Sequence, residues 1–401
     1  MGKIENRDII VIGPQPWDNP IGSNCKDIAR EFAESNRVLY INRPMDWITR
    51  MKNPESEKDF IAHRKAVLSG KIPQFEQITP SMAVFTPKVT LPSINMLPDN
   101  FLYDALNKWV NRMLAKEIQK AADQMGFNNY IIFNDSDMFR GFYLKEMLKP
   151  EAYIYYSRDN LISTDYYKKH GARLEPKLMA KADVCVANSR FLADICKKYN
   201  PHSYDIGQGV DLTEWNPEKI KGRPDDIQNI EGPIIGYVGA LLELRLDVGL
   251  LENLAKRHLD WQFLFVGPED EAFATSSLHD LPNVTFTGPK KPNELPQYVM
   301  AFDVCLNPQA VNEMTIGNYP RKIDEYLAMG LPTVATLTPT MRAFEPHVLL
   351  ASDIDEYSQH IQEGLDNNNM ELTRSRREFA LSHSWTESVR RLGEAYQSAR
   401  K

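Results

Sequence analysis

A lysine and a glutamate three residues apart, Lys322 and Glu325, lie in the stretch TIGNYPRKIDEYLAMGLPTVAT from Thr315 to Thr336, and together they suit a nucleotide. On a helix this spacing puts both on one face, while Ile323 and Leu327 turn to another that can bury against a sheet. Asn318 or Tyr319 is expected to cap that helix, with Pro320 at its first position, where a missing N–H costs nothing. Gly317, just before, lets the backbone approach a ligand closely. First-turn N–H groups and the positive end of the helix dipole favour a diphosphate, and Arg321 and Lys322 add positive charge there. Glu325, one turn in, is placed to accept hydrogen bonds from vicinal hydroxyls such as those of a ribose. A Lys–Glu pair at this spacing is also common as a surface ion pair. The glycine loop beside it is what favours a binding role.

These residues need a frame. Gly330 closes the helix at the usual C-terminal glycine position, and Leu331 to Thr336 is an apolar run suited to a buried parallel strand. Strand-like runs alternating with helical periodicity occur in two series, the pattern of parallel sheets covered on both faces by helices. The first series is Asp8 to Gly13, Arg37 to Asn42, Tyr130 to Asn134, Ala152 to Tyr156 and Asp183 to Asn188, with helices over Ser23 to Glu34, Phe101 to Met125 and Arg190 to Tyr199. The segment from Trp47 to Leu97 is less regular. The second series is Ile234 to Gly239, Gln262 to Gly267, Asn283 to Gly288, Asp303 to Pro308 and Pro332 to Thr336. Doubly wound sheets hold ligands beyond the carboxyl ends of their strands, so the loops after Gly239, Gly267, Gly288 and Pro308 are favoured positions.

The 401 residues suit two α/β domains. The expected division is 1–215 and 216–384, the second opening with a Pro- and Gly-rich linker, and a closing helix over 385–401 that packs back on the first. A net charge of −7 argues against a nucleic-acid partner. No apolar run approaches the ~20 residues that span a bilayer, and no signal-peptide pattern opens the chain, so a cytoplasmic location is expected. Cys25, Cys185, Cys196 and Cys305 are widely spaced and read as reduced structural residues. Basic groups at Lys168, Lys169 and Arg173, and at Arg112, Lys116 and Lys120, leave open a peripheral contact with anionic lipid, against the plainer reading of solvated helix faces. His170, His202 and His347 lack partners at metal-ligand spacing, and no DxD motif is present, so no bound metal is expected.

With these blocks in order, the chain resembles the two-domain GT-B glycosyltransferases, and within them the GT4-like group that includes teichuronic-acid and capsular-polysaccharide transferases. The blocks that carry the resemblance are IIGYVGALLELRLDVGLLENLA, WQFLFVGP, LPNVTFTGPKKPNELPQYVMAFDVCLNP and YPRKIDEYLAMGLPTVAT in the second half. PQPWDNPIGSNCKDIAREFAESNRVLYIN, YYSRDN, LEPKLMAKADVCVANSRFLADICKKY and IGQGVD carry it in the first. The resemblance implies two Rossmann-like doubly wound parallel-sheet domains facing a central cleft. A UDP- or GDP-sugar donor would be held by the second domain and a glycan or lipid-linked acceptor by the first, with no further cofactor. It implies a hexosyltransferase acting with retention in cell-surface polysaccharide synthesis. In such enzymes the donor's own phosphate can act as base, and stabilisation of the leaving diphosphate carries most of the catalysis.

Transferred residue by residue, Glu325 binds the ribose and Lys322 the diphosphate, with loop contacts from Thr315, Ile316, Gly317 and Asn318. Gly239 lets the first loop approach the phosphates, Gly267 and Pro268 begin a loop flanking the base, and Gly288 begins another. Asp159 in YYSRDN matches an acidic position of the family, although an Asx turn or helix cap explains it as well. Gly13, Trp17, Asp18, Asn19 and Gly22 form the first-domain loop where sugar contacts are expected; Trp17 stacks on a sugar or fills a domain seam. The chain departs from the pattern at Gly317, where members often carry a glutamate eight positions before Glu325, and Glu313 lies nearby. The usual Gly-Arg and Lys pair after the first donor strand is also missing. Arg245 is near, either reaching the diphosphate or lying on the surface. Gly317 motivates an alternative, a nucleotide-binding partner without catalysis. A sugar-nucleotide epimerase of the same architecture is a further alternative, and a dinucleotide oxidoreductase lacks its GxGxxG fingerprint.

Overall fold

A computed structural model describes residues 2–19 and 22–400. The chain divides into two compact units, one of residues 1–209 with 385–401 and the other of residues 210–384.

The first unit is built on an eight-stranded sheet. Its strands are β1 (Asp8–Ile12), β2 (Arg37–Ile41), β4 (Phe75–Thr79), β5 (Met82–Phe85), β7 (Tyr130–Asp135), β8 (Ala152–Ser157), β9 (Val184–Ala187) and β10 (Ser203–Asp205); β3 (Met45–Asp46) and β6 (Thr90–Leu91) pair separately. The order is β10-β9-β8-β7-β1-β2-β5-β4, parallel throughout except for the β4–β5 hairpin at one edge. The central strands read DIIVI, RVLYI and AYIYYS, runs buried on both faces as covered parallel strands require. Helices Asn24–Ala33 and Phe101–Gln124 start at side-chain caps from Ser23 and Asn100. Two core clusters lie on opposite faces of the sheet, one around Ile10, Leu39 and Ile132 and the other around Ile9, Val11 and Val38. Helix Trp385–Ser398 packs in the second of these through Val389, Leu392 and Tyr396.

The irregular segment after Trp47 holds helices Trp47–Lys52 and Lys58–Ser69 and the β4–β5 hairpin. Helix Asp165–Lys181 carries Lys168, Lys169 and Arg173, and its bounds were not read from the sequence. It carries Pro176 in its interior and only a weak apolar stripe, which hides its period.

In the second unit β11 (Ile234–Val238), β12 (Gln262–Val266), β13 (Val284–Phe286), β14 (Val304–Asn307), β15 (Thr333–Thr336) and β16 (Leu349–Ala351) form one parallel sheet in the order β13-β12-β11-β14-β15-β16. The chain winds outward from β11 to β13, then returns to β14 on the other side and winds away. The loops after β11 and β14 therefore part company at a topological switch point, where such sheets leave a crevice for ligands. The sheets match the doubly wound expectation, with the antiparallel hairpin as its one exception.

Candidate functional site

The β11 switch point is shaped by two glycines. Gly239, directly after β11, has φ +137, and Gly267, after β12, has φ +153. A Cβ at Gly267 would collide with the Gly239 carbonyl, so the two turns can lie against each other only because both lack side chains. Hydrogen bonds fix the contact: Gly239 N–H donates to Val266 O at 2.9 Å and Leu241 N–H to the Pro268 carbonyl at 2.8 Å. Pro268 thus acts through its backbone. Gly288 has φ +69 and open space around it.

The β14 loop is equally constrained. Gln309 Nε2 donates to Thr315 O at 2.7 Å, Thr315 N–H donates to Asn312 Oδ1 at 3.1 Å, and the Thr315 hydroxyl donates to Ala310 O. The Thr315 side chain is therefore spent inside the loop. Ala310 N–H donates to Arg245 O at 2.9 Å, so Arg245 ties the two loops through its backbone, while its exposed side chain makes no hydrogen bond among the described residues. Gly317 is buried, and Ile316 and Asn318 are half-buried, with Asn318 N–H donating to Thr315 O at 2.9 Å.

The helix itself begins later than expected. It spans Lys322–Ala328 with Arg321 at its cap position in αR conformation and no side-chain cap. Asn318 and Tyr319 do not cap it, and Pro320 lies before it. Ile323 N–H donates to Pro320 O at 2.9 Å and Asp324 N–H to Arg321 O at 3.1 Å, tight turns that engage two of the first-turn donors. The positive charge at this site is supplied by side chains.

Lys322 supplies it directly. Its Nζ lies over the Tyr237 ring, 4.0 Å from the centroid, and donates to the Tyr237 hydroxyl. A Cβ built at Gly239 would come within 2.9 Å of that nitrogen. The ammonium is thus suspended above the glycine turn at the end of β11, where an approaching phosphate would meet it. Glu325, one turn on, is half-buried, and its carboxylate makes no hydrogen bond or ion pair among the described residues. Burial raises its pKa above the ordinary carboxylate value, and Arg321 and Lys322 pull it partly back. Its oxygens reach solvent, so the carboxylate is open to an incoming donor.

Behind the helix lies a set of residues that sequence reasoning missed. Asp324 is fully buried, accepting from Tyr319 OH at 2.9 Å and contacting His383 Nδ1 at 2.7 Å. Burial raises its pKa and His383 pulls it back. Tyr326 anchors the same helix to β11 by accepting the Val238 N–H at 2.9 Å. Ile323 and Leu327 are buried with Ala335, Met341 and Phe344, on the face expected. Adjacent to Glu325 in sequence, Asp324 reads as one more surface acid, and its partner His383 is 59 residues away.

In the first unit most of the expected loop residues make contacts within the fold. Trp17 N–H donates to Asn42 Oδ1 at 2.6 Å, and its indole packs edge-on to Tyr40 with Arg30 4.9 Å from the ring. Asp18 receives both ends of the Arg64 guanidinium at 2.8 and 3.0 Å. Burial would raise the Asp18 carboxyl, but Arg64 overrides that and holds it below the usual range. Asn19 and Gly22 flank residues 20 and 21, which lie outside the described set, and a Cβ at Gly22 would meet nothing within 4 Å. Gly13 faces Asp135, whose carboxylate would lie 3.2 Å from an added Cβ. Asp135 is fully buried and accepts from Arg158 Nε at 2.8 Å, and burial raises its pKa. Arg158 also donates to Asp159 at 3.2 Å, so Asp159 belongs to this ion-pair cluster.

Among the described residues no group of three or more His, Cys, Asp or Glu is placed to hold a metal ion, and no helix is long and apolar enough to cross a membrane. Of the basic groups, Arg173 is paired with Asp99 and Asp104, and Lys120 with Glu117.

Residues 232–367 match the family of glycosyl transferases, group 1. Over 200 residues the chain is 30% identical to a Bacillus subtilis (strain 168) protein, TuaH, named for a glycosyltransferase of teichuronic acid biosynthesis. That alignment covers 48% of this chain and 49% of the relative, so the chain spans about half the length of the curated relative it matches. Among solved structures, it is similar to sucrose-phosphate synthase of Thermosynechococcus elongatus, with a TM-score of 0.66 and 15% identity over 98% of this chain and 99% of that one. It is similar to Anabaena Alr3699/HepE in complex with UDP, with a TM-score of 0.65 and 16% identity over 98% and 100% of the two chains. An α,α-trehalose-phosphate synthase (UDP-forming) of Burkholderia vietnamiensis gives a TM-score of 0.67 and 11% identity over 99% and 98%. The shared fold is the GT-B architecture of glycosyltransferases, as the sequence resemblance implied.

Proposed function

We propose that this chain is a glycosyltransferase that moves a hexosyl unit from a nucleoside-diphosphate sugar to a glycan or lipid-linked acceptor in cell-surface polysaccharide synthesis. The observation that carries this reading is the pairing of Lys322, suspended over Gly239, with the unpartnered carboxylate of Glu325 one turn away. The family match over 232–367 contains both residues and supports the same role.

In this reading the diphosphate lies against the Gly239 turn with Lys322 offsetting its charge, and Glu325 accepts the ribose hydroxyls. As the glycosidic bond to the leaving phosphate breaks, negative charge grows on the diphosphate, and Lys322 stabilises it most at that moment. Arg245 is free to add a second positive charge. UDP is favoured over GDP because fold relatives carry UDP in their solved complexes. Retention and independence from a bound metal complete the proposal. Loss of activity on chelation, restored by Mn²⁺ or Mg²⁺, would count against the latter.

The direct test is incubation with a panel of UDP- and GDP-sugars, following release of the nucleoside diphosphate. Slow hydrolysis of one donor, abolished in Lys322→Ala, is expected. Because Gly317 brings no carboxylate, a second reading is a nucleotide-binding partner without turnover. Tight UDP binding with no hydrolysis or transfer across donor and acceptor panels would favour it.

A further inference from the structure

The helix that carries Lys322 and Glu325 has seven residues and no side-chain cap, and a helix that short is not stable by itself. Its direction is set from behind. Tyr326 ties it to β11, and Asp324 supplies a second polar anchor whose two carboxylate oxygens reach two different segments. Oδ2 accepts from the hydroxyl of Tyr319, in the loop just before the helix, at 2.9 Å. Oδ1 lies 2.7 Å from Nδ1 of His383, two residues beyond helix Met370–Leu381. Tyr319 OH and His383 Nδ1 are themselves 3.1 Å apart, so the three groups close a triangle. The rest of His383 is held in turn: its ring stands edge-on to Phe379 with centroids 4.6 Å apart and to Phe344 at 6.2 Å, and its carbonyl accepts from Val210 N–H at 2.9 Å. Val210 is the first residue of this unit and His383 the last but one.

We infer that His383 is a positioning residue of the nucleotide site: through Asp324 it fixes the direction in which helix Lys322–Ala328 presents Glu325. Burying a carboxylate is costly, and an apolar residue of similar size often packs as well. Hydrogen bonds to a fully buried group add what apolar contacts lack, a fixed angle. Asp324 and Glu325 are neighbours on one short helix, so any rotation permitted by loss of His383 turns the Glu325 carboxylate as well. Lys322 has its own hold on Tyr237, and is therefore less exposed to that rotation. The inference rests on the proposed nucleotide site for its effect on binding; the anchoring of the helix needs no ligand.

Three variants of the full chain test it, each read by hydrogen exchange and by calorimetric titration with UDP. His383→Phe keeps a ring against Phe344 and Phe379 but removes the hydrogen bond, and His383→Asn restores a polar group near the Nδ1 position. Val348→Ala trims the same apolar cluster without touching the triangle, and so calibrates lost stability alone. Exchange of the backbone N–H groups of residues 322–329, relative to those of β11 and β12, should rise about tenfold in His383→Phe only. UDP affinity should fall about tenfold in His383→Phe, recover in His383→Asn and stay unchanged in Val348→Ala. In a Glu325→Gln background His383→Phe should add little, because it acts through that carboxylate. Where His383→Phe folds poorly, Tyr319→Phe removes a single hydroxyl from the same triangle and should move both readings in the same direction. Wild-type exchange and affinity in His383→Phe would overturn the inference, as would equal losses in His383→Asn or Val348→Ala, or an additive loss with Glu325→Gln. Selective loosening of the helix with no UDP binding even by the wild type would sink the proposed nucleotide site and leave the anchoring role of His383 standing.

Discussion

The two sheets place a glycine at the same point, directly after the central strand at the switch in winding, yet opposite charges face the two glycines. Gly239 lies under the Lys322 ammonium, whose hydrogen bond goes to the Tyr237 hydroxyl. Gly13 lies against the Asp135 carboxylate, held by Arg158 beneath the surface. The topology supplies a crevice in both cases. In the proposed reading the nucleotide diphosphate lies where the Lys322 cation overlooks the glycine, so the chemistry is set by the residue opposite and not by the fold.

Substitutions can break this contrast from either side. Removing the cation should have the largest effect: Lys322→Ala is expected to lower kcat/KM with the preferred donor by about 10²–10³, as for loss of a preorganised group at a developing charge. An equal rate would refute its role. Glu325→Gln should weaken UDP binding by about ten- to a hundredfold, since charge-assisted hydrogen bonds to the ribose are lost. The same variant carries a pH signature. Ribose hydroxyls favour the ionised carboxylate, whereas burial in the free protein raises its pKa above 4.5. Wild-type affinity should therefore fall as pH drops through that raised range, and the ratio of wild-type to Glu325→Gln affinity should shrink with it.

Gly239→Ala and Gly13→Ala sharpen the comparison at a smaller scale. An alanine at Gly239 is strained at φ +137 and crowds Lys322, so UDP affinity should drop along with stability. An alanine at Gly13 crowds Cys25 at 3.1 Å and Asp135 at 3.2 Å, and should cost about 1–3 kcal/mol of stability while leaving UDP affinity unchanged. Calorimetric UDP titrations alongside thermal melts separate the two outcomes.

The smallest expected effect concerns the first unit alone. Burial pushes Glu175 up to about 7 while Tyr155 OH donates to it at 2.6 Å. Its folded pKa exceeds the unfolded 4.5, so its contribution is full below that value and lost as pH rises through about 7. The thermal midpoint should decline between pH 5 and pH 8, and Glu175→Gln should flatten that decline. An identical slope in both proteins would remove Glu175 as the cause.

The two sheets were legible because parallel strands buried on both faces leave continuous apolar runs, such as DIIVI before Gly13 and FLFV before Gly267. Glu325 and Lys322 were legible because helical spacing is local. What sets Lys322 in place was not, since Tyr237 lies 85 positions away and reads only as a strand residue. The helix start was misjudged because Pro320 promises a first turn that in fact forms a tight turn ahead of Lys322. The pairing of Asp18 with Arg64 and of Trp17 with Tyr40 joins distant positions and was not legible either. Tertiary pairing decided these roles, and no local pattern records it.

The central claim is that Lys322 and Glu325 form the diphosphate and ribose ends of one nucleotide site. Calorimetric titration of UDP into the wild type, Lys322→Ala, Glu325→Gln and the double variant addresses it most directly. The account predicts binding to the wild type, weakened in each single variant, with the losses coupled in the double variant because both groups hold one ligand. UDP affinity equal in all four folded proteins would contradict it.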